Sequence, residues 1–262
     1  MAGATESDMQ HERDNLVVGR GTLYFDQFAP GTTTVLGEQY LGNTPSLTIK
    51  SERTTRTPVD SVGGRLVELP AVTISEKASG EFTGDNISAR MVALWFAAEA
   101  SGIAAPADAI SSVVTAYRGR YYQIGVTAAN PMGRRNLSSM AVVRQSDSTP
   151  IAAPGNYVLN ERDGRIQILP DSGIADGTAL AITAVADTVE TIYRPTGKIM
   201  EGALRFVADP AYGMGTDYFF PSVELAAAAD QALKGDMFQE LRFTFTAKKR
   251  PGRDLYYFAT KT

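Results

Sequence analysis

The side chains of this chain that could do chemistry are few, and their spacing assembles no active site. His11 is the only histidine. A Ser-His-Asp triad needs an imidazole held rigidly beside its nucleophile, and His11 lies in the polar stretch 1–14. A two-histidine metal site is ruled out. Cysteine is absent, which removes disulfides, thiolate nucleophiles and zinc–thiolate centres. Asp163, Asp171 and Asp176 occupy separate turn signals and fit no EF-hand loop. Gly19-Arg20-Gly21 and Tyr212-Gly213-Met214-Gly215 are short glycine motifs. Neither reads as a strand–glycine–helix phosphate cradle, and no GxxxxGKS or GxxxxGKT run occurs. Two carboxylates on a β scaffold would make a glycosidase. The chain has 29 acidic residues, but no motif selects a pair among them. The expectation is a protein without enzymatic activity, cofactor or metal.

Two polar clusters remain. Arg118, Arg120, Arg134, Arg135 and Arg144 interleave with Tyr117, Tyr121 and Tyr122. Stacking tyrosines beside arginines can bind single-stranded nucleic acid, but these tyrosines fall on alternating strand positions. A solvated sheet face or a subunit contact explains them better. The segment 50–65 reads KSERTTRTPVDSVGGR, with four basic and two acidic residues and almost no apolar content. It lies between two strand signals. A loop of this length without its own structure is usually functional or mobile. It reads either as a disordered hairpin tip or as an arm that orders against a neighbouring subunit. Its charged contact residues would be Lys50, Glu52, Arg53, Arg56, Asp60 and Arg65.

The elements that position these residues read mainly as strands. Val72, Ile74, Ala78, Gly80 and Phe82 alternate with Thr73, Ser75, Lys77, Ser79 and Glu81, and only Glu76 breaks the pattern. Leu241, Phe243, Phe245 and Ala247 alternate with Arg242, Thr244, Thr246 and Lys248, and Met200, Gly202, Leu204 and Phe206 with Glu201, Ala203 and Arg205. A period of two puts one face in a core and the other in water or along a channel. Shorter runs predict strands over 21–28, 45–51, 121–127, 139–144, 165–169, 179–185 and 217–225. The pair Asp163-Gly164 predicts a tight hairpin.

One helix is expected. Ile87, Met91, Leu94, Trp95 and Ala98 share a helical face. Asp85 or Asn86 would cap it and Gly102 would stop it. Trp95, the single tryptophan, reads as a core anchor.

Composition sets the outer limits. At 262 residues the chain can bury a core without staples. With 24 glycines and 13 prolines, turns are frequent, which favours short strands. The net charge is −4. Non-specific DNA binders gain affinity by releasing counterions and are usually basic, so avid DNA binding is not expected, whereas passage of DNA remains open. The most apolar run, 91–98, is too short to cross a bilayer, and the polar N-terminus lacks a signal-peptide core. Turn signals between 118 and 190 suggest a small inserted β domain. The expected organisation is an N-terminal arm 1–15, a discontinuous β-sandwich 16–117 with 191–262, and the insert 118–190.

The blocks GRGTLYFDQF (19–28), LGNTPSLTIKSERTTRTPVDSVG (41–63), LPAVTISEKASGEFTGDNIS (69–88), YRGRYYQIG (117–125), GALRFVADPAYGMGTDYFFPSVEL (202–225) and GDMFQELRFTFTA (235–247) together resemble the tail tube, or major tail, proteins of long-tailed non-contractile bacteriophages. The resemblance runs from 19 to 247 as a pattern rather than a signature motif. It implies a mainly β fold: a β-sandwich flanked by one helix, with a long inter-strand loop and an inserted β domain outside the tube. It implies six subunits per ring, rings stacked into a tube, and DNA passing without specific binding. The loop 50–65, the arm 1–15 and the tail 255–262 would reach the next ring. The implied partners are other copies of the chain, a tape measure protein, and tail terminator or tail tip proteins, with no membrane. The implied location is the virion, after assembly in the host cytoplasm. The alternative is a host-surface or carbohydrate-binding β-sandwich of a fibre or baseplate, for which Tyr121–Tyr122 or Tyr256–Tyr257 would be the exposed aromatics.

Overall fold

The computed structural model describes residues 16–29, 31–60, 63–64, 66–103, 109–186 and 190–261. The arm 1–15, with His11, lies outside the described residues, as does Arg65. The chain begins with β1 (Gly21–Gln27), β2 (Gln39–Tyr40), β3 (Ser46–Arg56), β4 (Val59–Asp60), β5 (Val67–Glu68) and β6 (Val72–Gly84). The helix α1 (Ala89–Trp95) follows, then β7 (Ala98–Ile103), β8 (Ala109–Ala116), β9 (Tyr121–Gln123), β10 (Leu137–Arg144), β11 (Tyr157–Asn160), β12 (Arg165–Ile168), β13 (Thr178–Ala186) and β14 (Glu190–Pro195). It ends with β15 (Met200–Ala208), β16 (Thr216–Ala227), β17 (Leu241–Ala247) and β18 (Tyr257–Thr260). The fold is mainly β with one short helix, as the alternation predicts.

Two compact units emerge, Met1–Ala98 with Pro195–Thr262 and Glu99–Arg194. The insert therefore begins earlier than the expected 118 and ends at Arg194. The reason is β8, which pairs along its length with β13 and buries Ala116 in the insert's own core. Its sequence, AISSVVTA, lacks the strict alternation that would have announced it.

In the first unit the strands follow the order β2-β1-β15-β16-β17-β6-β3, with β18 also on β16. The path bends at β15 and β16. Leu204 pairs with Phe220 and Gly202 with Val223, so Pro221 and Ser222 oppose Ala203 alone. An extra residue on one strand kinks it and increases its twist. The same residues divide β16: Phe219 and those before it pair with β18, and Val223 onward with β17. Pro221 has no N–H and falls between the two ladders, where no donor is needed. The bent sheet wraps one core that joins Leu23 and Phe25 of β1 to Leu204, Phe220, Phe243, Phe245 and Phe82. Phe82 and Phe243, paired in register, stack at 4.8 Å.

The helix is shorter than its apolar stripe. Ser88 is the cap, its Oγ accepting from the Met91 N–H at 3.2 Å, in place of Asp85 or Asn86. Ala97 takes a left-handed φ of 48° and β7 starts at the next residue, so the helix stops well before Gly102. Trp95 is half-buried against the first core and donates Nε1–H to the Arg242 carbonyl at 3.1 Å.

The C-terminal segment is not a free arm, contrary to the expectation for 255–262. Residues of β18 pair with Thr216–Phe219. Lys261 Nζ reaches the Ala208 carbonyl at 2.6 Å and Asp217 Oδ1 at 3.1 Å. Partial desolvation pushes the Asp217 carboxyl upward. The Ala208 N–H bond at 2.7 Å, Lys261 and the nearby Arg205 charge outweigh it and hold the carboxyl below its ordinary value. A depressed carboxylate stabilises the fold above its unfolded pKa of about 3.9 and loses that contribution as pH falls through the lower folded value. Amide exchange in β18 should therefore lose protection on acidification to below about pH 4. In Asp217→Asn protection should already be reduced at neutral pH and vary less with pH.

The second unit holds two three-stranded sheets, β10-β13-β8 and β11-β12-β9, around Ile124, Leu137, Val142, Ile166, Ile168, Leu180 and Ile182. The predicted hairpin joins β11 to β12, with Gly164 at φ 63°. Gln123 Nε2 donates to the carbonyls of Arg134, Asp163 and Gly164 at 2.9–3.1 Å and ties the end of β9 to the hairpin turn and to the segment before β10.

Candidate assembly surface

The segment read as an unstructured loop is a strand. β3 runs through Arg56 and pairs with β6 from Ser46↔Thr83 to Arg56↔Val72, interrupted by one bulge at Thr54/Thr55. Thr48, Thr54 and Thr55 favour extended backbone. The strand was expected only over 45–51, where Leu47 and Ile49 meet the core; its continuation to Arg56 escaped notice because neither face there meets a core, so no alternation of apolar and polar residues marks it. Beyond it, β4 and β5 pair as Val59↔Glu68 and Asp60↔Val67. Gly63 and Gly64 take φ 86° and 74° near the tip, which suits glycine alone.

From Glu52 to Lys77 this hairpin is an arm. Its described residues are exposed on both faces, with only Asp60 half-buried. The apolar face of β6 shows where the core ends. Ala78, Gly80, Phe82 and Gly84 are buried, whereas Val72 and Ile74 are 58% and 57% exposed. A two-stranded ribbon alone in water is marginally stable. One that leaves β-branched side chains uncovered gains by docking.

The charges predicted for contact are distributed over this arm. Lys50 pairs with Glu52, and Glu52 faces Lys77 in the ladder. The hydrogen bond and then the charge of Glu52 raise the Lys50 pKa, and Lys50 in turn lowers that of Glu52. Arg53 makes a cross-strand pair with Glu76, Nε and Nη2 both donating to Oε1 at 3.2 and 3.1 Å. This pair borders a shallow cleft with Lys249, Asp254, Tyr256 and Phe258. Arg56 lies opposite Val72 and is exposed, and Asp60 lies in β4 opposite Val67.

The aromatic candidates form no shared platform. Tyr121 is exposed, with the Arg165 guanidinium 5.3 Å from its ring centre, but Tyr122 is turned to the second core. Tyr256 packs on Phe220 at 5.7 Å, while Tyr257 Oη accepts from the Asp254 N–H. Asp163 accepts from Asn160 Nδ2 and Asp176 pairs with Arg118, as turn residues do. Among the described residues no acidic or histidine cluster could hold a metal, and no helix is long and apolar enough to cross a membrane.

Two features were missed by sequence reasoning. The connection from β16 to β17 exposes Leu233, Met237 and Phe238 at 73%, 87% and 97%. A signal existed in the run LKGDMF, which puts large apolar residues in a glycine-containing loop. The second feature is a cleft of about 760 Å³ lined by Gly19–Gly21 beside β1, Asn43–Leu47 and Ile49 along β3, and Phe206 and Tyr218. It joins residues far apart in the chain and had no local signal.

No curated protein matches the chain at a significant level. A family model does match, over residues 16–206, a span that takes in the arm, the whole second unit and most of β15. The chain therefore belongs to the family described as protein of unknown function UCP028589.

Proposed function

We propose that the chain is the tail tube subunit of a long-tailed bacteriophage or of a phage-derived particle. In this reading it forms hexameric rings that stack into a conduit for DNA. The observation that carries the reading is the arm 52–77, a two-stranded ribbon exposed on both faces. A stacked assembly gives that ribbon a surface to lie on. The outer edges of β3 and β18 support it further, since each pairs on one side only within the described chain. Open edges invite pairing with other copies, and a closed ring removes them. The second unit would stand outside the tube. Terminator, tip and tape measure proteins would meet the ends and the bore.

Negative-stain imaging of the purified protein tests this directly. Hollow tubes or stacked rings are expected. Discrete monomers that bind glycans would favour the host-surface module instead.

The arm's charges give a finer test. Exposed ion pairs are individually worth about 0–1 kcal/mol, so Arg53→Glu with Arg56→Glu should melt like the wild type. The double variant places a like charge opposite Glu76 and takes the arm 52–77 from a net charge of zero (Arg53, Arg56, Arg65 and Lys77 against Glu52, Asp60, Glu68 and Glu76) to −4 toward an adjoining ring. Weak contacts repeated around a ring act together, so tube growth should fail. Normal tubes from this variant would remove the arm's charges from the assembly contact.

A further inference from the structure

The exposed β16–β17 loop and the cleft between β1 and β3 have complementary chemistry. Residues 229–239 make no backbone hydrogen bond among the described residues; the last before the gap runs from the Ala228 N–H to the Arg242 carbonyl. The loop curls around a hollow bounded by its own residues 229–240 and Arg242. Its apolar side chains therefore pack neither on the core nor on each other. Met237 and Phe238 project almost fully into solvent. A phenylalanine so placed gains by burial in any apolar recess that admits it.

Such a recess exists on the same unit. Leu47, Ile49, Phe206 and Tyr218 are half-buried against the core and supply apolar walls to the cleft. Gly21 keeps it open, because a Cβ there would lie 2.6 Å from the Phe206 ring. Arg20 stands at the rim, exposed and without an ion pair among the described residues. The loop 229–239 carries Asp230 and Asp236 against Lys234, a net charge of −1; the two aspartates are likewise without ion pairs among the described residues, so a small charge match accompanies the apolar one. Within the sheet the loop springs from β16 and β17, with β6 between them and the edge strand β3. Strand spacing then separates β17 from β3 by roughly 10 Å. Leu241, where the loop rejoins β17, pairs with Gly84, and Ser46 of the cleft pairs with Thr83, so projection and recess are separate features at one end of the sheet; a contact between two unlike patches of successive copies repeats head to tail and can close into a ring.

We propose that Phe238 and Met237 of one copy seat in the β1–β3 cleft of an adjoining copy, with Asp236 directed to Arg20. The proposal rests on the tube reading and adds the surface through which copies recognise each other. The chain has no cysteine, so single cysteines report contacts cleanly. Gln239→Cys, beside the projection, and Ser46→Cys, on the rim, would be made as separate variants, mixed, co-assembled and oxidised. A disulfide-linked dimer should form from the mixture and from neither variant alone, which makes the contact intermolecular. Phe238→Asp, at a solvent-exposed position, should melt as the wild type but need at least tenfold more protein to assemble. If tubes form, the mixture gives no disulfide and Phe238→Asp assembles normally, this contact is wrong while the tube reading stands. If the wild-type chain stays monomeric at high concentration, both fall.

Discussion

Replacing residues 52–77 by Asn-Gly should yield a folded monomer that no longer assembles. Ser51 and Ala78 are paired in the β3–β6 ladder, so a two-residue turn can join them in register, and Asn-Gly suits the hairpin twist. Ala78 and the buried half of β6 are retained. What is lost is exposed ribbon with the Arg53–Glu76 and Lys50–Glu52 pairs, both solvent-accessible. The melting temperature should shift by less than about 4 °C, the equivalent of about 1–2 kcal/mol in a chain of this size. Assembly should fail, because the ribbon is the only two-faced exposed strand pair of the first unit among the described residues. Imaging and sedimentation would read the outcome, and intact tubes from the shortened chain would withdraw the arm from any assembly role.

Phe245→Ala should cost about 3–5 kcal/mol of stability, as large-to-small changes in aromatic cores do. Phe245 is fully buried in β17 and meets Phe220 edge-on at 5.2 Å. It also covers Gly80, its register partner, so closely that a Cβ there would lie 2.5 Å from the ring and 2.2 Å from the Thr48 carbonyl. Removing the ring leaves a cavity bordered by a glycine that has no side chain to fill it. The first unit's unfolding midpoint should drop by roughly 6–20 °C. The second unit has its own core, so its amides should keep their exchange protection while those of β6, β16 and β17 lose theirs. A loss below about 1 kcal/mol would mean that the sheet collapses onto the gap.

Strands with one face in a core were legible in the amino-acid order. In Leu241–Ala247 the burial follows the alternation residue by residue, whereas in Met200–Ala208 it does so only as far as Gly202, because Ala203, opposite the bulge, is buried as well. The Asp163-Gly164 hairpin was equally legible, because a left-handed glycine leaves a local mark. The polar, basic character of the segment 50–65 was also visible, and with it the candidate residues Lys50, Glu52, Arg53 and Arg56.

The remainder depended on pairing between distant segments. Such pairing made the supposed loop a strand, since a ribbon solvated on both faces carries no hydrophobic period to read. It moved the insert's start ahead of β8, since β8 is recognised by its partner β13, 62 to 76 residues further along, and not by its own composition. It turned the C-terminal tail into a paired strand through Asp217 and Lys261. It also separated exposed from buried apolar residues. Val72 and Phe82 belong to one alternation in the sequence, yet the bulge that leaves Ile74 without a ladder partner breaks that alternation between them, and one is bare and the other fully enclosed. Periodicity reports which residues share a face. Whether anything lies against that face depends on where the other strands end, which distant parts of the chain determine.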